Sequence, residues 1–348
     1  MADQPAMRAT MRDVAALAGV SLKTVSRVVN GETTVAPELA EKVHRAVLRL
    51  AYRHNLSASN LRRGNSRTGV IGALLQDVSN SFSGSLLRSL EDAARSRHDV
   101  VLTASLDEEA DREHTLVADL VSRRVDGLIM MPATTDQAYL EADVRAGLRV
   151  VFVDREPHGL VADCVLVDNV LGADLGTAHL IEHGHRQIAY LADLDTIETE
   201  GRRQRGFQQA LLAAGIAIDP ALLLTGLRSS DAAQAATLEL FDGTHAPPTA
   251  LFCARNTVTI GAARALRELG LAHSVALVGY DDFPLADLVD PALTVVRQDV
   301  TRLGQEAARQ LYARIDGDPS PARRQVLPPT LVVRGSGEIR PPDSRLTR

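Results

Sequence analysis

The chain has 348 residues, 45% of them hydrophobic and 24% charged, with a net charge of −6. That is globular composition with length for two or three domains, and no stretch approaches the roughly 18 uninterrupted apolar residues of a membrane span. The start, MADQPAMRATMRD, lacks the apolar centre of a signal peptide, and the two cysteines, Cys164 and Cys253, are isolated and offer no metal spacing, so a reducing cytoplasm is the expected location. Residues 1–65 carry ten Lys and Arg against five acids, while the remainder carries 28 against 39. A basic start on an acidic body points to a polyanion partner at the N-terminal end alone, the plain alternative being a solvated basic face.

The first predicted elements lie between Thr10 and Asn30. Thr10 and Asp13 have capping-box spacing, and Val14, Leu17 and Ala18 form one apolar face of a short helix. Gly19 stops it, because glycine enters the left-handed turn without steric cost. Ser21 caps a second helix whose inward face is Val25, Val28 and Val29, leaving Leu22, Lys23, Thr24, Ser26 and Arg27 outward. Donors at the N-terminal end of a short capped helix suit a DNA major groove. Pro37 opens a third helix along Leu39, Val43, Val47 and Leu50, enough for one small three-helix core.

Three stretches carry a family resemblance. The runs Asp13-Val-Ala-Ala-Leu-Ala-Gly-Val-Ser21, Thr24-Val-Ser-Arg-Val-Val-Asn-Gly31 and Leu50-Ala-Tyr-Arg-His-Asn55 resemble the DNA-binding head of the lactose-repressor (LacI) family. The similarity continues through Leu61-Arg-Arg-Gly64 into the region beyond and covers nearly the whole chain. It implies an all-α helix-turn-helix head joined to an α/β core of two lobes, like the periplasmic sugar-binding proteins, with two parallel Rossmann-like sheets. The expected divisions are a head over 1–54, a hinge over 55–66, a two-lobed effector-binding and dimerisation core over 67–335 and a polar tail over 336–348.

The segment NLSASNLRRGNS from Asn55 is polar and small, as a linker is, with a one-turn helix possible at Leu56, Ala58 and Leu61 when docked. From Gly69 onward, β-branched runs beginning at Val70, Val100, Gly127, Val150, Val165, Ile188, Ala250 and Val275 alternate with helical segments. This alternation predicts parallel sheets covered on both faces, in two lobes. The resemblance implies lobe crossings near Val167, Val296 and Gln325. The final residues show no leucine heptad, so no C-terminal coiled coil is expected.

Lys23 and Arg27 are the expected base readers, since both reach guanine O6 and N7; the alternative is phosphate contact alone. Leu22 suits a thymine methyl, and Thr10, Thr24, Ser26 and Asn30 are short donors suited to phosphate. The hinge pattern Ala58-Ser-Asn-Leu61-Arg62 matches the family's, in which Leu61 is an apolar wedge in the minor groove, the alternative being a contact with the body. His54 stands where the family usually has proline. In the core, the match to the family places Asn80, Phe82, Arg203 and Asp281 at the effector, between the lobes. A carboxylate and a guanidinium suit vicinal hydroxyls, and an aromatic face suits a sugar ring. Alternatively Arg203 and Asp281 form a structural pair bridging the lobes. Arg255-Asn256 stands where the family has Asn-Asp, so Arg255 either favours a sugar acid or sugar phosphate or neutralises Asp281. His183-Gly-His185 reads as a helix stop, not a metal site. No cofactor is expected, and no catalytic triad, phosphate-cradling loop or carboxylate pair stands out. The expected partners are operator double-stranded DNA, a sugar-like effector and a second copy of the chain, with no membrane. The competing class is an enzyme or transport-type sugar binder whose N-terminal helices merely dimerise it.

Overall fold

A computed structural model of the chain describes residues 9–29, 32, 34–53, 67–243 and 246–342. It divides into two compact units, Met1–Thr68 and Gly69–Arg348. The hinge positions Leu61 and Arg62, along with Asn30 and His54, lie outside the described residues.

In the first unit, α1 (Met11–Ala18), α2 (Leu22–Val29) and α3 (Pro37–Arg49) enclose one apolar cluster. Val14, Val25, Val28, Val43 and Ala46 are its buried members. Leu17, expected inside, is 43% exposed, because the core is closed by α3 against Val14 and leaves Leu17 at its edge. Both caps form as their chemistry requires. The Thr10 backbone N–H and hydroxyl each donate to Asp13 Oδ2 at 2.7 Å, and these bonds hold that carboxyl below its ordinary range. Gly19 takes φ 66° and closes α1 through Ala15 O. Ser21 Oγ accepts from Thr24 N at 3.1 Å, capping α2.

The second unit contains two six-stranded sheets. The strands are β1 (Val70–Leu75), β2 (Val100–Ser105), β3 (Gly127–Met130), β4 (Val150–Val153), β5 (Asp163–Val167), β6 (Ile188–Leu191), β7 (Leu223–Leu224), β8 (Ala250–Cys253), β9 (Ala276–Tyr280), β10 (Thr294–Arg297), β11 (Arg324–Leu327) and β12 (Thr330–Val332). Their order is β11-β5-β4-β3-β1-β2 in the first lobe and β12-β10-β9-β8-β6-β7 in the second. The helices are α4 (Ser81–Ser96), α5 (Ala110–Ser122), α6 (Glu141–Arg145), α7 (Asn169–Glu182), α8 (Glu198–Ala213), α9 (Ser230–Glu239), α10 (Asn256–Glu268) and α11 (Val300–Ile315). Buried residues of α4 and α11 cover one face of the first sheet, with α5 on the other. In the second lobe, α7 and α8 face α9 and α10 across the sheet. The fully buried β-branched and aromatic strands match this sandwiching.

The chain crosses between lobes after β5, after β10 and after β11. The third crossing corrects the expectation of purely parallel sheets. β11 runs parallel to β5, so it ends at the cleft; Pro328-Pro329 carries the chain directly over, and β12 must run away from the cleft. It therefore pairs antiparallel with β10. Helix α11 and strands β7, β10, β11 and β12 are not among the elements anticipated from sequence. Close packing of α7 on α8 needs Gly206, where a Cβ would overlap the carbonyl oxygen of Val170.

Candidate functional site

Ligand sites of open α/β sheets lie beyond the carboxyl ends of the strands. Here those ends converge from both lobes. Gln76 and Asn80 follow β1, Glu108 follows β2 and Asp154-Arg155 follow β4. From the second lobe come Arg255 after β8, Asp281 after β9, and Glu200 and Arg203 from the first turns of α8. These side chains, with Phe82, Met131 and Gln298, line one narrow cleft that is partly open to solvent. All five residues expected at the effector, Asn80, Phe82, Arg203, Arg255 and Asp281, line this one cleft.

Arg203 is 4% exposed, with its Nε and Nη1 both engaged. Its Nε donates to Asn169 Oδ1 at 2.8 Å and Nη1 to Ala254 O at 2.7 Å. The guanidinium lies 4.0 Å above the Tyr280 ring centroid. Asp281 Oδ2 is 3.9 Å away and its Oδ1 accepts from Gln298 Nε2 at 2.5 Å. Both residues belong to the second lobe, so the anticipated lobe-bridging pair does not exist. Asp281 has φ 67° and Asp154, at the matching strand end in the first lobe, also has φ 67°. Such backbone costs on the order of 1–3 kcal/mol per residue and clusters at ligand clamps.

Arg255 does bridge the lobes. It pairs with Asp193 of its own lobe and donates from Nη2 to Gln76 Oε1 of the first at 2.8 Å. It neither neutralises Asp281 nor projects an uncompensated charge. Asn80 caps α4 through Phe82 N and exchanges two amide hydrogen bonds of 3.0 Å with Asn256 across the cleft. Its side chain is thus a latch between lobes.

Several cleft residues were not anticipated. Arg155 makes a bidentate pair with Glu108 at 2.5 and 2.6 Å and donates to Pro132 O. Its signal was available: Asp154-Arg155 directly follows the run Val150–Val153, the position that Asp281 has after β9. Glu108 comes from the loop after β2 and carries no sequence signal. Glu200 sits one turn before Arg203, yet receives only a 3.4 Å contact from it. Burial pushes the Glu200 carboxyl up to about 7, against the opposing pull of Arg203. Burial also raises Asp154. Among the described residues, Asp154 Oδ1, Arg155 Nε, Glu200 Oε2 and Gln298 Oε1 are buried without a hydrogen-bond partner. Four such atoms at one cleft form a polar lining whose complement is a molecule that both donates and accepts.

On the first unit, Thr10, Leu22, Lys23 and Arg27 are exposed, and Thr24 and Ser26 partly so. Thr24 Oγ1 lies 2.9 Å from Ser21 Oγ, so it serves the cap first. Arg27 Nε is 3.6 Å from Glu32 with both side chains 44% exposed, a weak surface pair. Leu22, 43% exposed beside Lys23, leaves an apolar contact on a cationic face.

Comparison with known proteins agrees with this geometry. Residues 10–55 match the family of bacterial regulatory proteins of the lacI type, and residues 177–337 match the periplasmic binding protein-like domain. The transcriptional regulator GalS of Salmonella typhimurium is 34% identical over 94% of this chain and 96% of its own length. The lac repressor dimer bound to operator and the anti-inducer ONPF superposes with a TM-score of 0.81 at 28% identity, covering 95% of this chain and 99% of that one. The CelR–cellobiose complex superposes with a TM-score of 0.69 at 32% identity, covering 94% and 100%. Head motif, two-lobed core and full-length similarity agree: the chain is a member of the lacI family of bacterial regulatory proteins.

Proposed function

We propose that this regulator represses carbohydrate-utilisation genes in the cytoplasm, binding a pseudo-palindromic operator as a homodimer and responding to a neutral sugar held between its lobes. In this assignment residues 1–54 are the DNA-binding head, 55–66 the hinge, 67–335 the core and 336–348 the tail. The lac repressor dimer on its operator and cellobiose-bound CelR support the partner classes. No helix among the described residues is long and apolar enough to cross a membrane. Lys23 and Arg27 read bases, with Leu22, Thr10, Thr24, Ser26 and Asn30 around them and Leu61 and Arg62 in the minor groove. Exposed Leu285, Leu288 and Val289 beside α10 offer apolar surface for a second copy.

The observation that carries the choice of ligand is the charge state of the cleft. Each lining guanidinium already faces a carboxylate: Arg155 with Glu108, Arg203 with Asp281, Arg255 with Asp193. A phosphate or sugar acid would meet carboxylates and compensated cations, whereas sugar hydroxyls match the unpartnered donors and acceptors. Binding shifts the lobe equilibrium only by the ligand's differential affinity for the two arrangements. Calorimetry with matched panels of neutral sugars, sugar acids and sugar phosphates tests this. A neutral sugar is expected to bind tightest and to change operator affinity; an acid or phosphate binding tightest refutes it.

A further inference from the structure

Outside the cleft, one group of titratable side chains among the described residues has a metal-ligand arrangement. His179 and His183 are four residues apart at the C-terminal end of α7, with ring centroids 4.4 Å apart. Glu338, 155 residues further on, comes from the short turn Ser336–Glu338 after β12 and reaches the same spot. One ligand atom from each of the three lies within 4.8 Å of the others, and all three residues are partly buried. Gly337 permits this approach, since a Cβ there would crowd the His179 ring at 3.1 Å.

We propose that His179, His183 and Glu338 bind a divalent transition-metal ion of the zinc type, fastening the closing segment of the chain to α7. Two histidines at i and i+4 share one helix face, a known zinc spacing. Two imidazoles and a carboxylate with an open fourth position suit zinc. Ligand atoms about 2.1 Å from a tetrahedral ion sit roughly 3.4 Å apart, so the three side chains draw together around the ion on binding.

The hydrogen bonds prepare the ligands. His183 Nδ1 lies 2.8 Å from His179 O. A carbonyl can only accept, so that nitrogen carries the proton and the lone pair is left on Nε2, the way outer partners orient ligating histidines. His179 Nε2 faces Glu338 Oε1 at 2.5 Å. The ion takes the place of this hydrogen bond: Nε2 gives up its proton to solvent and Nδ1 holds one in exchange, so that His179 ligates as a neutral imidazole. The end of α7 is the negative pole of its helix dipole, which favours a cation there. His185 is no ligand: Ile339 O at 2.7 Å and Thr249 Oγ1 at 2.9 Å occupy both its nitrogens.

The test is calorimetric titration of the full chain, stripped with chelator, using Zn²⁺ alone, alongside His183→Ala and Glu338→Gln. The expected result is one ion per chain in the parent, at least roughly tenfold weaker binding in each variant, and a metal-dependent rise in thermal midpoint in the parent only. Co²⁺ should give a visible ligand-field band without thiolate charge transfer, which separates this site from Cys164 and Cys253 even where a variant folds poorly. No saturable binding, equal binding by parent and both variants, or a thiolate band overturns the proposal.

Discussion

Replacing Glu200 by glutamine tests how the cleft distributes its charge. The residue is 3% exposed, Oε2 has no hydrogen-bond partner, and Oε1 receives only the 3.4 Å contact from Arg203. Burial therefore outweighs the cation and raises the carboxyl from 4.5 to about 7. The folded state holds this proton where the unfolded chain has lost it. Stability from this group is fully present below about pH 4.5 and is lost as pH rises through about 7, for a total of roughly 3 kcal/mol. Glutamine keeps the shape and an acceptor for Arg203 while remaining neutral at every pH. Between about pH 5.5 and about pH 8, the parent should thus lose about 2 kcal/mol relative to Glu200→Gln. Denaturant unfolding of both proteins at the two pH values reads this as a divergence of midpoints. A gap that stays constant with pH, or one that moves in the parent's favour as pH rises, would show that Arg203 keeps Glu200 ionised and that burial does not govern its proton.

Arg27→Ala and Lys23→Ala should each cost about 1–3 kcal/mol of operator affinity and relax sequence preference; unchanged preference in an anisotropy titration would confine both residues to phosphate. Asp281→Ala should abolish the response to the sugar while operator affinity without sugar stays close to the parent's, and calorimetric binding equal to the parent's would remove Asp281 from the effector site. Gly206→Ala should destabilise the core by about 1–3 kcal/mol through forced separation of α7 and α8, and an unchanged thermal midpoint would contradict the close packing described here.

Much of this protein was legible in local sequence. Thr10, Asp13, Gly19 and Ser21 specify the ends of the first two helices through bonds spanning three or four residues, so their chemistry is written within one turn. The β-branched runs of β1, β3, β4, β5, β6, β8 and β9 announced buried strands because a strand covered on both faces needs apolar residues at every position, whereas the run from Val100 formed the largely exposed edge strand β2. Leu17 was misplaced because periodicity gives a face but not what covers it. The resemblance to a family, not spacing, brought Asn80, Phe82, Arg203, Arg255 and Asp281 together in advance. What no local pattern contains is partner choice over long separations. Arg255 joins Asp193 and Gln76, Arg155 takes Glu108, and Glu338 reaches back to His179 across 159 residues. Strand order within each lobe sets Arg155 beside Glu108 and Arg255 beside Asp193, the crossings between lobes bring Gln76 to Arg255, and the turn after β12 returns Glu338 to α7. Sequence determined which charges the chain carries; only the tertiary structure decided which of them are already neutralised, because ion pairing depends on distances of a few ångströms that strand order alone creates.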